Sequence, residues 1–170
     1  MTVYIALGAN LGDRRANLTA ALHRLAHNAY IQAVSALYES PPQPPAPPPA
    51  YLNAACRVVT SLGPQALLAF LKDIEYDLGR RSTERWAPRL IDLDIALYDD
   101  RIVDDGDLVI PHPRLAERAF VLQPLLDLDP NLTHPLTGER LSDLLARIGP
   151  NGLVQVAPAG WQTSWHNQKL

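Results

Sequence analysis

Two aspartates one residue apart lie inside an apolar stretch, Leu90-Ile91-Asp92-Leu93-Asp94-Ile95-Ala96-Leu97. A strand alternates its side chains between faces, so Asp92 and Asp94 share a face and sit about 6.5–7 Å apart along it. Leu93, Ile95 and Leu97 are expected on the opposite face, in a core. Like charges fixed on one face repel, and a cation between or beside them relieves the repulsion. Carboxylate oxygens suit a hard cation, and Mg2+ is commonly held by one or two carboxylates together with substrate phosphates. Arg80, Arg81, Arg85 and Arg89 fall just before this strand. The guanidinium fork grips phosphate oxygens in pairs. Taken singly, the acids also read as an exposed strand face and the arginines as an ordinary surface loop. Taken together, they supply what phosphoryl transfer needs: a metal to bridge phosphates and fixed cations to neutralise charge.

His112 stands between two prolines in Pro111-His112-Pro113-Arg114, where stiff flanks suit a side chain that must hold one position and donate to a phosphate oxygen. His23, His27, His134 and His166 have no such setting. The sequence has no Gly-x-x-x-x-Gly-Lys-Ser/Thr loop, which excludes a P-loop enzyme. No serine or cysteine has a triad setting. Cys56 is the sole cysteine, so no internal disulfide forms, and its place in a strand pattern reads as a small core residue.

The elements that must position these groups follow from periodicity. Residues 3–7 form a buried strand, and Gly8 to Asp13 a turn-rich loop in which Asp13 caps the next helix. That helix runs from 15 to about 28, with Leu18, Ala21, Leu22 and Leu25 on its apolar side. Residues 31–38 form a second strand. Seven of the nine residues 41–49 are proline, which makes an extended surface loop within one domain. Residues 51–60 form a third strand. Gly63-Pro64 opens a helix that buries Leu67, Leu68, Phe70, Leu71, Ile74 and Leu78 and ends at Gly79. Residues 80–89 are a polar loop and 90–98 a strand, with 101–103 as its short partner and 109–113 a further loop. Helices follow at 119–128 and 141–148, then a last strand at 153–156. The β-α-β-β-α-β order predicts an α+β, ferredoxin-like sandwich: an antiparallel-rich sheet with helices packed on it.

The whole chain, 1–170, is expected to be a single domain. It is 47% hydrophobic, enough for a packed core, and its net charge of -3 with a pI near 5.9 argues against a general nucleic-acid binder. The first residues carry no basic stretch ahead of an apolar run, and no apolar run approaches the roughly 20 residues that cross a bilayer. The expectation is a cytoplasmic protein with no membrane, nucleic-acid or obligatory protein partner.

Five motifs occur in order: Gly8-Ala9-Asn10-Leu11-Gly12, Tyr51-Leu52-Asn53-Ala54-Ala55, Arg85-Trp86-Ala87-Pro88-Arg89-Leu90-Ile91-Asp92-Leu93-Asp94-Ile95, Ile110-Pro111-His112-Pro113-Arg114 and Arg118-Ala119-Phe120. Together they resemble the 6-hydroxymethyl-7,8-dihydropterin pyrophosphokinases of folate biosynthesis, over about residues 3–157. The Arg-Trp-x-Pro-Arg-x-x-Asp-x-Asp string is highly specific; the glycine-rich start is generic.

The resemblance implies transfer of diphosphate from ATP to the pterin hydroxyl, giving AMP and the pterin diphosphate. It implies two Mg2+ ions on Asp92 and Asp94, with Arg80 and Arg89 as catalytic arginines. Tyr51 and Phe120 would hold the pterin ring, Asn53 would read its polar edge, and Ser40 and Pro42 would lend backbone groups. Arg89, His112 and Arg118 would meet ATP phosphates, and Glu75 would lie near the nucleotide. Arg80 and Trp86 would belong to a loop that closes over the site. The loop between Gly79 and Trp86 is one residue shorter than in the best-known members, which leaves the role of Arg81 open. Gln43 stands where an apolar residue often borders the pterin. Two other readings use the same features: a metal-dependent phosphohydrolase, and an RNA-binding module on a ferredoxin-like sheet. The second expects exposed aromatics among basic residues, whereas aromatics are 6% of this acidic chain.

Overall fold

The computed structural model describes residues 1–42, 49–79 and 89–162. Strand β1 (Thr2–Ala9) is an inner strand of the sheet. It pairs antiparallel with β4 (Tyr51–Val59) on one side and with β5 (Asp92–Tyr98) on the other. The expected strand at 31–38 is two segments, β2 (Tyr30–Val34) and β3 (Leu37–Ser40), interrupted at Ser35 and Ala36; both pair with β4. The order is β5-β1-β4-β3-β8, where β8 (Val154–Ala157) is the expected last strand shifted by one residue. The chain therefore has the ferredoxin-like α+β arrangement, extended by β8.

Both faces of the sheet are covered. Helices α1 (Arg14–Leu25) and α2 (Pro64–Asp77) bring Leu18, Leu22, Leu67 and Leu71 onto Ile5, Leu7, Cys56, Val58 and Leu93. Helices α3 (Ala119–Leu128) and α4 (Leu141–Ile148) bring Leu122, Leu125, Leu141 and Leu144 onto Tyr4, Ala55 and Leu97. The helix ends follow local chemistry. Asp13 caps α1, its Oδ1 accepting from Ala16 N at 3.0 Å. Pro64 opens α2, where its missing N–H costs nothing. Beyond α2, Gly79 adopts φ +101°, which favours glycine, and a Cβ there would also crowd Leu90 Cδ1 at 3.0 Å.

Four expectations need correction. Helix α1 stops at Leu25, not near 28, because His27 and Asn28 turn through i→i−3 bonds to the Arg24 and Leu25 carbonyls. Strand β5 begins at Asp92, not Leu90. Its register against β1 slips between Tyr4 and Ile5, so Ala96 is an extra residue, a bulge. The bulge carries Leu97 across to the α3–α4 face, away from Leu93 and Ile95. Finally, β5 does not pair with residues 101–103. A separate hairpin of β6 (Val103–Asp105) and β7 (Leu108–Ile110) turns at Gly106, so 109–110 is strand rather than loop. No helix among the described residues is long and apolar enough to cross a membrane.

Candidate active site

A cleft of about 410 Å³ opens on the α3–α4 face of the sheet. Its floor is a consequence of register. Asn53 on β4, Gly8 on β1 and Asp92 on β5 stand side by side, and the next row on the same face is Ala55, Ala6 and Asp94. The middle strand contributes only Gly8 and Ala6, so no large side chain fills the space between the amide on β4 and the carboxylates on β5. At the usual strand spacing, Asn53 and Asp92 are about 10 Å apart.

At the β5 end, Arg89 Nη1 donates to Asp92 Oδ2 at 2.9 Å. Arg89 is itself anchored by a reciprocal pair: its N–H donates to Asn10 Oδ1 at 2.7 Å, and its carbonyl accepts from Asn10 N at 3.1 Å. Burial, and then the charge on Asp92, push the Asp94 carboxyl up to about 6. His112 is placed by the bulge, where the Ala96 carbonyl accepts from His112 N at 3.0 Å. Burial and the neighbouring Arg118 and Arg114 push His112 down to about 4, against the pull of Asp92. The ring is therefore neutral at pH 7, and its 4.0 Å approach to Asp94 is not an ion pair. Its Nδ1 accepts from Arg114 N at 3.1 Å, which leaves the proton on Nε2 as a donor on the Asp94 side.

The first turn of α3 forms the opposite wall. The Arg118 guanidinium lies 5.5 Å from the Phe120 ring centroid, and its buried Nε has no hydrogen-bond partner among the described residues. A buried donor left unpaired is costly, and an incoming anion would satisfy it. At the β4 end, Asn53 Nδ2 donates to Ser40 Oγ at 2.8 Å, and Asn53 Oδ1 faces Gly8. Tyr51 completes this end.

The structure thus gathers Ser40, Tyr51, Asn53, Arg89, Asp92, Asp94, His112, Arg118 and Phe120 around one cleft. Pro41 lines it where Pro42 was expected. Glu75 does not line it: buried on α2, it accepts from Leu93 N at 2.7 Å and pairs with Lys72. Arg80 and Trp86, like Gln43, Arg81 and Arg85, lie outside the described residues. Sequence reasoning passed over Gly8, Asn10, Pro41 and Arg114. Only the regular spacing of small residues at Ala6 and Gly8, opposite an acidic strand, carried a signal for any of them.

Among the described residues no three His, Cys, Asp or Glu side chains converge as a metal cage. Two carboxylates in neighbouring rows of one sheet face, with open space beside them, instead suit a hard cation that takes its remaining oxygens from substrate and water.

Residues 4–130 match the family described as 7,8-dihydro-6-hydroxymethylpterin-pyrophosphokinase. The chain is 41% identical over 155 residues to the 2-amino-4-hydroxy-6-hydroxymethyldihydropteridine pyrophosphokinase of Methylorubrum extorquens, covering 90% of this chain and 97% of that one. The Pseudomonas aeruginosa protein of the same name is 41% identical over 160 residues, covering 92% and 98%. A folic acid synthesis protein of Dictyostelium discoideum is 47% identical over 133 residues, 78% of this chain, which spans only 20% of that longer protein. The same fold occurs in the crystal structure of Plasmodium falciparum HPPK-DHPS, with a TM-score of 0.72 at 15% identity over 86% of this chain and 44% of that one. By profile, by near full-length identity to the bacterial relatives and by fold, the chain belongs to the 7,8-dihydro-6-hydroxymethylpterin-pyrophosphokinase family.

Proposed function

We propose that this chain transfers diphosphate from ATP to the hydroxyl of 6-hydroxymethyl-7,8-dihydropterin, releasing AMP, as a step of folate biosynthesis. The observation that carries the reading is one cleft with two chemically different ends. Paired carboxylates and cations stand at the β5 end, and an amide with aromatic rings at the β4 end. Residues 1–170 act as one cytoplasmic domain that needs only small-molecule partners.

Each end has a task. Asp92 and Asp94 would hold Mg2+, two ions in this reading, which when bound neutralises and orients the triphosphate. Arg89, Arg118 and the Nε2–H of His112 would bind phosphate oxygens; Arg114, on the same rim, is suited to the same work. Phe120 and Tyr51 would hold the flat ring. Asn53 and Ser40 would read its polar edge, with Pro41 and Pro42 beside them. Arg80 and Trp86 would close over the substrates, exclude water and suppress ATP hydrolysis. The pterin hydroxyl oxygen forms a bond to the β-phosphorus, and the bond from that phosphorus to the oxygen bridging to the α-phosphate breaks. The hydroxyl proton passes to solvent. Such a loose transition state needs alignment and charge neutralisation more than a strong base, and the neutral His112 is a donor rather than a base here.

Phosphorus NMR of a reaction with ATP, Mg2+ and the pterin tests the proposal. AMP and pterin diphosphate are expected in equal amounts. ADP as the product, or ATP consumed equally fast without pterin, would overturn the transfer and favour a phosphohydrolase.

A further inference from the structure

Helix α3 carries one jaw of the cleft in its first turn, Arg118 and Phe120, and the sheet carries the other, Asn53 and Ser40. Two turns further along α3, Asp127 reaches back to the sheet. Its Oδ2 accepts from the Tyr38 hydroxyl at 2.8 Å and from Ala36 N at 3.3 Å, and its Oδ1 lies 3.0 Å from the same hydroxyl. Gln123 Nε2 adds a bond to Oδ1 at 3.1 Å. Seven residues separate Phe120 from Asp127, so at 3.6 residues per turn they share one side of the helix, about 10 Å apart along it.

The sheet end of this contact belongs to the row that makes the cleft floor. Tyr38 on β3 is the register partner of Asn53, so Tyr38, Asn53, Gly8 and Asp92 cross four strands in line. Ser40, two residues along β3 and therefore on the same face, holds the Asn53 amide. The Ala36 N–H is available because the interruption between β2 and β3 leaves it outside the strand ladder. Burial, and then Asp127, hold the Tyr38 hydroxyl above the usual tyrosine range, so it stays a donor throughout the physiological range. Among the described residues the other α3–sheet contacts are the apolar packing of Leu122 and Leu125, which has no direction of its own, and one long bond from Arg57 Nη1 to the Leu128 carbonyl at 3.4 Å.

We infer that the Tyr38–Asp127 contact is a positioning device. It fixes the end of α3 against the strand that carries Ser40 and Asn53's partner, and so sets the gap between the Phe120 jaw and the Asn53 jaw. A flat heteroaromatic substrate lying between the jaws is gripped only at the right gap. The inference rests on the reading of this end of the cleft as the pterin site.

Tyr38→Phe keeps the buried ring and removes the hydroxyl. It is expected to raise the KM for 6-hydroxymethyl-7,8-dihydropterin about 3–10-fold, the size of a contacting-pair coupling, with the KM for ATP unchanged. Asp127 is exposed, so Asp127→Ala breaks the contact without opening the core. It should have the same signature, and Tyr38→Phe/Asp127→Ala should be no worse than Asp127→Ala alone. Asp127→Asn keeps an acceptor oxygen and should restore most of the pterin affinity. A pterin KM unchanged in Tyr38→Phe and Asp127→Ala, an equal rise in the KM for ATP, or additive losses in the double variant would each overturn the inference. If the wild-type chain itself turns over no pterin, the functional reading falls and takes the inference with it. If wild type does and both variants match it, the inference falls alone.

Discussion

At the scale of single residues, Asp92 and Asp94 concentrate the chemistry. Each points from a strand whose opposite face is core, so truncation removes a ligand rather than packing. Asp92→Ala and Asp94→Ala are expected to lower kcat by at least about 10²-fold while circular dichroism stays unchanged; activity near wild type with Mg2+ present would remove the metal assignment. The acids also carry a stability consequence. The folded state raises the Asp94 pKa from 3.8 to about 6, so it holds the proton more tightly than the unfolded chain does. Without metal, the stability from this group is full below the unfolded pKa and is lost as pH rises through about 6. His112, lowered to about 4, works the other way and costs stability as pH falls below the unfolded value of 6.5. In metal-free protein, Asp94→Asn should therefore gain in Tm relative to wild type as pH rises from 4 to 7, and level off above about 6. Parallel Tm curves would contradict the assigned repulsion. The acidic pair was legible because two acids at period-two spacing inside an apolar run must share one strand face, where nothing but a cation or solvent can accommodate both. Arg118, Phe120 and Asn53 were legible only by resemblance. Gly8, Asn10 and Pro41 were not legible as site residues, because a glycine floor, a buried amide anchor and a proline wall act through shape and carry no reactive group.

At the scale of elements, capping and register decide where those residues stand. The Asp13 cap was readable from one residue type at one position, and the structure makes the bond. Asp13→Ala should cost about 1 kcal/mol, roughly 2–4 °C in Tm for a chain of this size, measured by calorimetry; no change would mean that water caps α1 equally well. The Ala96 bulge was not readable. Ile95-Ala96-Leu97 is apolar on both sides, so one inserted residue leaves the hydrophobic pattern unbroken while it reverses the face of Leu97. The β6–β7 hairpin was missed for a related reason. Its Asp105-Gly106 turn signal is flanked by strands of three residues each, too short for alternation to register. The bulge is also what presents the Ala96 carbonyl to His112, so the least legible feature of β5 helps to build the site.

At the scale of the molecule, the sheet divides labour. The α1–α2 face is closed core, and the α3–α4 face is core at one end and cleft at the other. The architecture was legible because strongly patterned segments in a β-α-β-β-α-β order leave few arrangements. What closes the molecule at its far end was not. Trp161 is buried, donates Nε1 to Ser35 O at 2.9 Å, and its carbonyl accepts from Arg15. It thus pins the interruption between β2 and β3 from the face opposite Asp127. A tryptophan that follows the last strand, outside any periodic run, has no context to reveal this. Trp161→Ala should cost about 3–5 kcal/mol, read from the urea midpoint, with the KM for ATP unchanged; a loss below about 1 kcal/mol, the bottom of the range for a buried contact, would mean that the strap is superficial.

The sole thiol in the chain, Cys56 on β4, is wholly enclosed under the α1–α2 layer, on the face that the cleft does not reach. Burial also holds it far from the thiolate state in which it reacts. A thiol reagent can meet it only when the sheet parts from its helices, so the rate of labelling counts core openings, with no probe to introduce and no background site to subtract. Added Mg2+ and a non-hydrolysable ATP analogue should slow that count by the factor 1 + [L]/Kd if opening is global, because the cleft is destroyed at each event. An unchanged rate would locate the opening in the α1–α2 layer alone. The protein therefore carries its own clock, placed where its ligands can change the clock's rate without touching its hand.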